Sequence, residues 1–237
     1  MIDGKSTLVI FPGAGSFGSE FKGLLQAFRP YARLLRYAWR DAPDDSGGYA
    51  DIDQAVQACA RQVQKVAATR PILLGHSFGA YMAYAAAAAL QPTGLAPRAV
   101  ILAAARAPHR LDDERQPRTQ AEIEAYWRSL EPGLYDRLPD PSWQDVLVET
   151  TRRDLAVFEQ VQAESFDRLQ IDVLTATGSH DPLVNIEQGR SWADWTDGLH
   201  EHRSFPGGHS DFLGSKDFVE WVETATQRMK EPHNVSR

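Results

Sequence analysis

A single cysteine in 237 residues leaves no internal disulfide and no cysteine-based zinc site, so folding must rest on core burial. Cys59 itself lies within a helical pattern and reads as core filler. Long apolar runs are also missing. The longest, around Ala85 to Leu90, is far short of the roughly 20 residues that span a bilayer, so no transmembrane helix and no membrane partner are expected. The opening Met1-Ile2-Asp3-Gly4-Lys5 lacks the apolar stretch of a signal peptide, which makes a cytoplasmic location the expectation. Positive charge is in deficit, with 25 Lys and Arg against 32 Asp and Glu for a net charge of −7. A general nucleic-acid binder needs the opposite balance to neutralise phosphates.

What remains is 43% hydrophobic and 24% charged, an ordinary globular composition, long enough for one α/β core. Short apolar runs, Thr7 to Phe11, Leu34 to Tyr37, Pro71 to Leu74, Ala99 to Leu102, Ile171 to Ala176 and Glu201 to Phe205, have the character of strands. They alternate with stretches of helical spacing: Phe21 to Phe28, Ile52 to Thr69, Ala80 to Leu90, Ile186 to Trp195 and Lys216 to Met229. That alternation builds βαβ units, and a single three-layer α/β domain over residues 1–237 is expected. Residues 110–168 break the pattern. They hold no strand signal, only charged, Pro-punctuated helical stretches at Gln120 to Leu130 and Trp143 to Gln162, and they read as a helical lid inserted over one end of the sheet.

Gly75-His76-Ser77-Phe78-Gly79 follows an apolar strand and precedes an Ala-rich helix, the setting of a G-x-S-x-G nucleophile elbow. A sharp strand-to-helix turn strains the serine backbone, and the residues two before and two after must be small so that strand and helix can close on each other. Ser77 is therefore the candidate nucleophile. A serine hydroxyl needs a histidine base and a carboxylate to orient it. In the order this fold demands, Asp181 follows the strand Ile171 to Ala176, and His209 follows the last strand in Pro206-Gly207-Gly208-His209. Asp211 is the competing acid, disfavoured because it stands on the approach to the last helix rather than at a strand end. His76 and His180 flank candidate site residues. His200 and His202 form an H-x-H pair without a third ligand nearby, so no metal is expected.

Near the N-terminus, Gly13-Ala14-Gly15-Ser16-Phe17-Gly18 is a literal G-x-G-x-x-G, and Asp41 stands where a ribose-binding acid would. A dinucleotide site would leave Ser77, Asp181 and His209 without a purpose. In a hydrolase the same loop supplies an oxyanion-hole donor, the Ala14 N–H, with Phe78 after the nucleophile supplying the other.

With these residues together, the chain resembles the type II thioesterases of polyketide and nonribosomal peptide assembly lines, which have the α/β-hydrolase fold. The resemblance runs over nearly the whole length. It is carried by Phe11-Pro12-Gly13-Ala14-Gly15, Gly75 to Gly79, Arg106-Ala107-Pro108-His109, Thr150-Thr151-Arg152-Arg153-Asp154, Gly178 to Pro182 and Pro206 to His209. Gly13 replaces the family's usual histidine, and Tyr37-Ala38-Trp39-Arg40 stands where the family has Y-P-G-R.

The resemblance implies hydrolysis of acyl thioesters on the phosphopantetheine arm of an acyl or peptidyl carrier protein, without a cofactor. It also implies a lid that gates a tunnel to Ser77, with Ala125 and Val157 taken as facing that tunnel. Arg106, Arg110, Arg115, Arg118, Arg152 and Arg153 would form a basic rim for an acidic carrier. A generic serine esterase, an offloading or cyclising thioesterase, and a non-catalytic protein on the same fold are the competing readings.

Overall fold

Six apolar runs become the strands β1 (Leu8–Phe11), β2 (Ala32–Leu34), β3 (Ile72–His76), β4 (Ala99–Ala103), β5 (Asp172–Gly178) and β6 (His200–Phe205) of the computed structural model. It describes residues 6–41, 51–111, 116–131, 133–135, 138–161 and 166–229. The strands form one sheet in the order β2-β1-β3-β4-β5-β6, every pair parallel. Strands β1, β3 and β4 are buried along their whole length, which is why they read as unbroken apolar runs, whereas β6 at the edge alternates in exposure.

Helices cover both faces. On one side lie α2 (Ile52–Gln64) and α3 (Phe78–Leu90), which pack on each other. The alanine run of α3 is a device for close approach, since almost the whole helix is buried between α2 and the sheet. On the other side α1 (Lys22–Ala27) meets α7 (Lys216–Arg228), and an aromatic cluster of Phe205, Phe212, Phe218 and Trp221 seals the space beneath. The short α6 (Ile186–Arg190) packs on β5 and β6. This is the expected α/β-hydrolase class.

Between β4 and β5 come α4 (Gln120–Leu130) and α5 (Pro141–Phe158), with no strand among the described residues there. Thr119 and Glu122 cap α4 reciprocally, and Asp140 caps α5 with Pro141 in its first turn. Ile123, Trp127, Tyr135, Leu147 and Val148 give this segment a small core of its own.

One strand departs from expectation. A strand over Leu34 to Tyr37 was expected, but β2 ends at Leu34, and Leu35, Tyr37 and Trp39 are buried off the sheet. Tertiary anchors outweigh β propensity here. The Tyr37 hydroxyl donates to the Pro12 carbonyl at 2.8 Å, and the Trp39 indole N–H donates to Asp154 at 2.8 Å, which draws the chain towards β1 and α5.

Candidate active site

Ser77 sits between β3 and α3 with φ 53° and ψ −124°, a strained position for a residue with a Cβ. The turn is held by the Ser77 N–H donating to the Ala103 carbonyl at 2.8 Å. Its two glycines are explained by contact. A Cβ on Gly75 would lie 2.3 Å from the Gly79 carbonyl oxygen, and one on Gly79 would lie 2.2 Å from that of Phe11. No other residue lets β3, α3 and β1 meet this closely.

Asp181 follows β5 and His209 follows β6, and the two meet: His209 Nδ1 is 2.9 Å from Asp181 Oδ2, both side chains buried. The other Asp181 oxygen accepts the Leu183 N–H at 2.8 Å and the Val184 N–H at 3.2 Å. Burial works to raise this carboxyl, but the bonds from His209 and the two amides outweigh it and hold it below the usual carboxylate range. With Nδ1 on a carboxylate, Nδ1 carries the proton and Nε2 has a free lone pair. Nε2 is buried and has no hydrogen-bond partner among the described residues. His209 borders the same two cavities as Ser77.

Asp211 plays a different part, its Oδ2 accepting the Gly208 N–H at 3.2 Å in the turn that carries His209. Asp181→Asn is therefore expected to reduce turnover by about 10⁴-fold through loss of the His209 tautomer, and Asp211→Asn by less than about tenfold. Steady-state rates of the two variants side by side check this, and the reverse ranking would reassign the acid. Because the Asp181 carboxyl is depressed in the folded protein, its contribution to stability is present at neutral pH. It is lost as pH falls through the folded value.

No hydrogen bond from the Ala14 or Phe78 amide to an acceptor is found among the described residues. Both border the smaller of the two cavities, of about 200 Å³, together with Tyr81, Leu155, Phe158 and Leu183. A larger cavity of about 770 Å³ opens from Ser77 towards Phe17, Trp127, Leu130, Trp143 and Leu147. Ser77 lies where the two meet.

Several residues to which the sequence reading gave no role in the chemistry organise the site. His76 Nε2 donates to the His209 carbonyl at 3.0 Å, with the two rings 5.0 Å apart. Burial and the neighbouring His209 push the His76 pKa down to about 3, so it is a neutral brace beneath the turn. Asp154 on α5 is fully buried, and every neighbour aimed at it is a donor. The Gly15 N–H, the Trp39 indole and the Arg40 guanidinium all point at its carboxylate, and Arg40 also donates to the Gly13 and Ser16 carbonyls. Burial presses the Asp154 carboxyl upward, against the pull of Arg40 and the other donors. The cluster clamps the Gly13 to Ser16 loop, and so the Ala14 amide, to α5. A signal for it existed: Asp154 falls on the apolar face of α5, two turns after Leu147 and one after Thr151.

The G-x-G-x-x-G loop is accounted for differently from a phosphate cradle. Gly15 has φ +70°, and a Cβ there would lie 2.2 Å from Thr151 Oγ1 on α5. Its N–H is already bound to an anion, the Asp154 carboxylate. The side chain of Asp41 lies outside the described residues. His200 and His202 direct ring nitrogens at Thr175 and Thr177.

Two further expectations change. Ala125 is exposed and Val157 is packed in the main core, so neither faces a cavity; Tyr126, one residue on, borders both. The basic rim is largely neutralised from within: Arg118 pairs with Glu159, and Arg152 and Arg153 with Glu149. Arg115 lies outside the described residues.

The profile of the thioesterase-domain family matches residues 6–228. A probable cadicidin biosynthesis thioesterase of Streptomyces griseus is 28% identical over 205 residues, which is 85% of this chain and 57% of that protein. A probable anguibactin biosynthesis thioesterase of Vibrio anguillarum, AngT, is 27% identical over 164 residues, 66% of this chain and 62% of its own length. The chain thus spans about three fifths of these relatives. Among solved structures, the type II thioesterase BorB from the borrelidin biosynthetic cluster superposes with a TM-score of 0.75 at 22% identity, covering 94% of this chain and 92% of the other. At that identity the likeness is one of fold.

Proposed function

The chain belongs to the thioesterase-domain family, and from that premise we propose that it hydrolyses acyl thioesters held on the phosphopantetheine arm of a carrier protein, as a type II thioesterase. The observation that carries the reading is the buried His209 Nε2, without a partner among the described residues, on a histidine that lines both cavities with Ser77 and has its other ring nitrogen bonded to Asp181. A lone pair kept dry and unpaired costs free energy unless a proton donor is to meet it. Ser77, which lines both cavities with His209, carries a hydroxyl that can be that donor.

In the proposed reaction His209 Nε2 takes the Ser77 proton as Oγ attacks the thioester carbonyl carbon. The negative charge that develops on the carbonyl oxygen is met by the Ala14 and Phe78 amides, fixed in advance by the clamp and the elbow. Collapse expels the pantetheine sulfur, which receives its proton from His209. Water then attacks the acyl-serine by the same route, with His209 as base, and releases the carboxylic acid. No step calls on a metal or a cofactor.

The two cavities divide the substrate at the reacting carbon. The larger suits the long pantetheine arm, and the smaller, walled by Tyr81, Leu155, Phe158 and Leu183, takes the acyl chain. Its small volume favours short acyl groups. Helices α4 and α5 act as the lid, because their apolar faces close the space above Ser77. Leu183→Trp is expected to cut turnover of the longest accepted chain on the order of tenfold, and Phe158→Ala to extend the range, both leaving fluorophosphonate labelling of Ser77 intact. An unchanged chain-length profile in both variants would move selectivity elsewhere.

The reading as a whole is tested by release of acyl groups from loaded carrier proteins, measured beside p-nitrophenyl esters of the same acids. Faster turnover of the carrier thioesters supports it. Preference for the simple oxyesters would make the protein a general esterase.

A further inference from the structure

The mouth of the large cavity is framed by two aromatic side chains that a monomeric surface has no reason to display. Phe17 is 53% exposed and Trp143 48% exposed, and they pack edge to face with centroids 6.5 Å apart. One belongs to the loop after β1 and the other to the first turn of α5, so the pair bridges the body and the lid. Beyond Phe17 the surface continues as an open groove of about 590 Å³ whose apolar floor includes Leu25 and Leu34. Phe17, Ser19, Lys22 and Gln26 border both the groove and the cavity, which makes the two one continuous path ending at Ser77.

Charge separates this surface from the rest of an acidic protein. The charged residues bordering the groove are Lys22 and Arg29, with no carboxylate among them. Neither cation has an ion-pair partner among the described residues. On the lid, by contrast, Arg118, Arg152 and Arg153 are spent on Glu159 and Glu149. With a net charge of −7, the protein repels an acidic partner at long range, so productive docking has to occur where the local field is reversed.

Resting on the proposed thioesterase function, we propose that the groove bounded by Phe17, Lys22, Leu25, Arg29 and Leu34 is the docking surface for an acidic carrier protein. An acidic helix of the carrier lies over Arg29, its apolar side chains meet Leu25 and Leu34, and the arm passes Phe17 and Trp143 into the large cavity. Lys22 stands at the junction of groove and cavity, where the phosphodiester of the arm enters. The exposed aromatics then serve as the apolar centre of a contact whose rim is cationic.

The test uses Arg29→Glu, at a residue of the groove that borders neither cavity at Ser77. Binding of an acyl carrier protein bearing free phosphopantetheine is measured by titration at low and high salt. Turnover of an acyl-N-acetylcysteamine thioester, which needs no docking, is followed in parallel. The expected result is a rise in Kd on the order of tenfold or more at low salt, shrinking at high salt, with small-thioester turnover within about twofold of wild type. An unchanged Kd overturns the proposal, as does a parallel loss of small-thioester turnover, which would place the damage in the site. Loss of self-association with carrier binding unchanged would assign the groove to a second copy of the chain and equally overturn it. If wild type binds the carrier through Arg29 but hydrolyses neither thioester, the docking surface stands and the proposed reaction fails.

Discussion

Ser77→Ala is expected to lower kcat/KM for an acyl carrier thioester by roughly 10⁴-fold or more and to abolish fluorophosphonate labelling, with the thermal midpoint unchanged. Removal of Oγ takes away the attacking atom but leaves the turn intact, because the turn is held by the Ser77 N–H on Ala103 and by the close contacts of Gly75 and Gly79. A companion variant sharpens the test. At φ 53° a residue with a Cβ is strained and glycine is not, so Ser77→Gly is expected to be equally inactive yet more stable by about 1 kcal/mol. Opposite movement of activity and stability at one position is what a backbone held under strain for catalysis produces. Retention of carrier-thioester turnover by either variant would remove Ser77 as nucleophile, and a less stable Ser77→Gly would remove the strain argument.

Asp154→Ala is expected to destabilise the protein by about 3–5 kcal/mol, because it removes the counter-ion of the Arg40 guanidinium and the acceptor of the buried Trp39 indole and Gly15 N–H. Asp154→Asn is expected to fare little better, since every neighbour is a donor and the new amide brings two more. Activity should fall as well, by about 10²-fold at permissive temperature, because the released Gly13 to Ser16 loop no longer holds the Ala14 amide in place. The two effects are separable. In Arg40→Met/Asp154→Leu no charge is left buried, so denaturation midpoints are expected to recover most of the loss while kcat does not. Recovery of both would reduce the cluster to a fold-stabilising contact, and wild-type stability in Asp154→Ala would deny it even that.

The amino-acid sequence alone determined the features that depend on neighbours in the chain. The glycines around Ser77 mark the elbow because strand and helix must approach within contact of their backbones. Asp181 and His209 could be located because each follows an apolar run at the end of which a parallel sheet opens its loops. Helix α4 spans the Gln120 to Leu130 that its periodicity marked, and α5 begins two residues before the expected Trp143, since i, i+3 and i+4 spacing is a local property.

The tertiary structure decided what depends on partners far along the chain. Arg40 and Asp154 are 114 residues apart in sequence, and no pattern local to either foretells that one would clamp the other. The same anchoring ended β2 at Leu34 when its residue types favoured a longer strand. Helical spacing could say that α4 and α5 have an apolar side, but only packing decided that Tyr126 rather than Ala125 borders the cavities. Which arginines are spent on Glu149 and Glu159, and that Lys22 and Arg29 remain open along the groove, likewise follows from where the helices come to rest. Burial and pairing are properties of juxtaposed surfaces, whereas turn geometry and periodicity are properties of the chain itself.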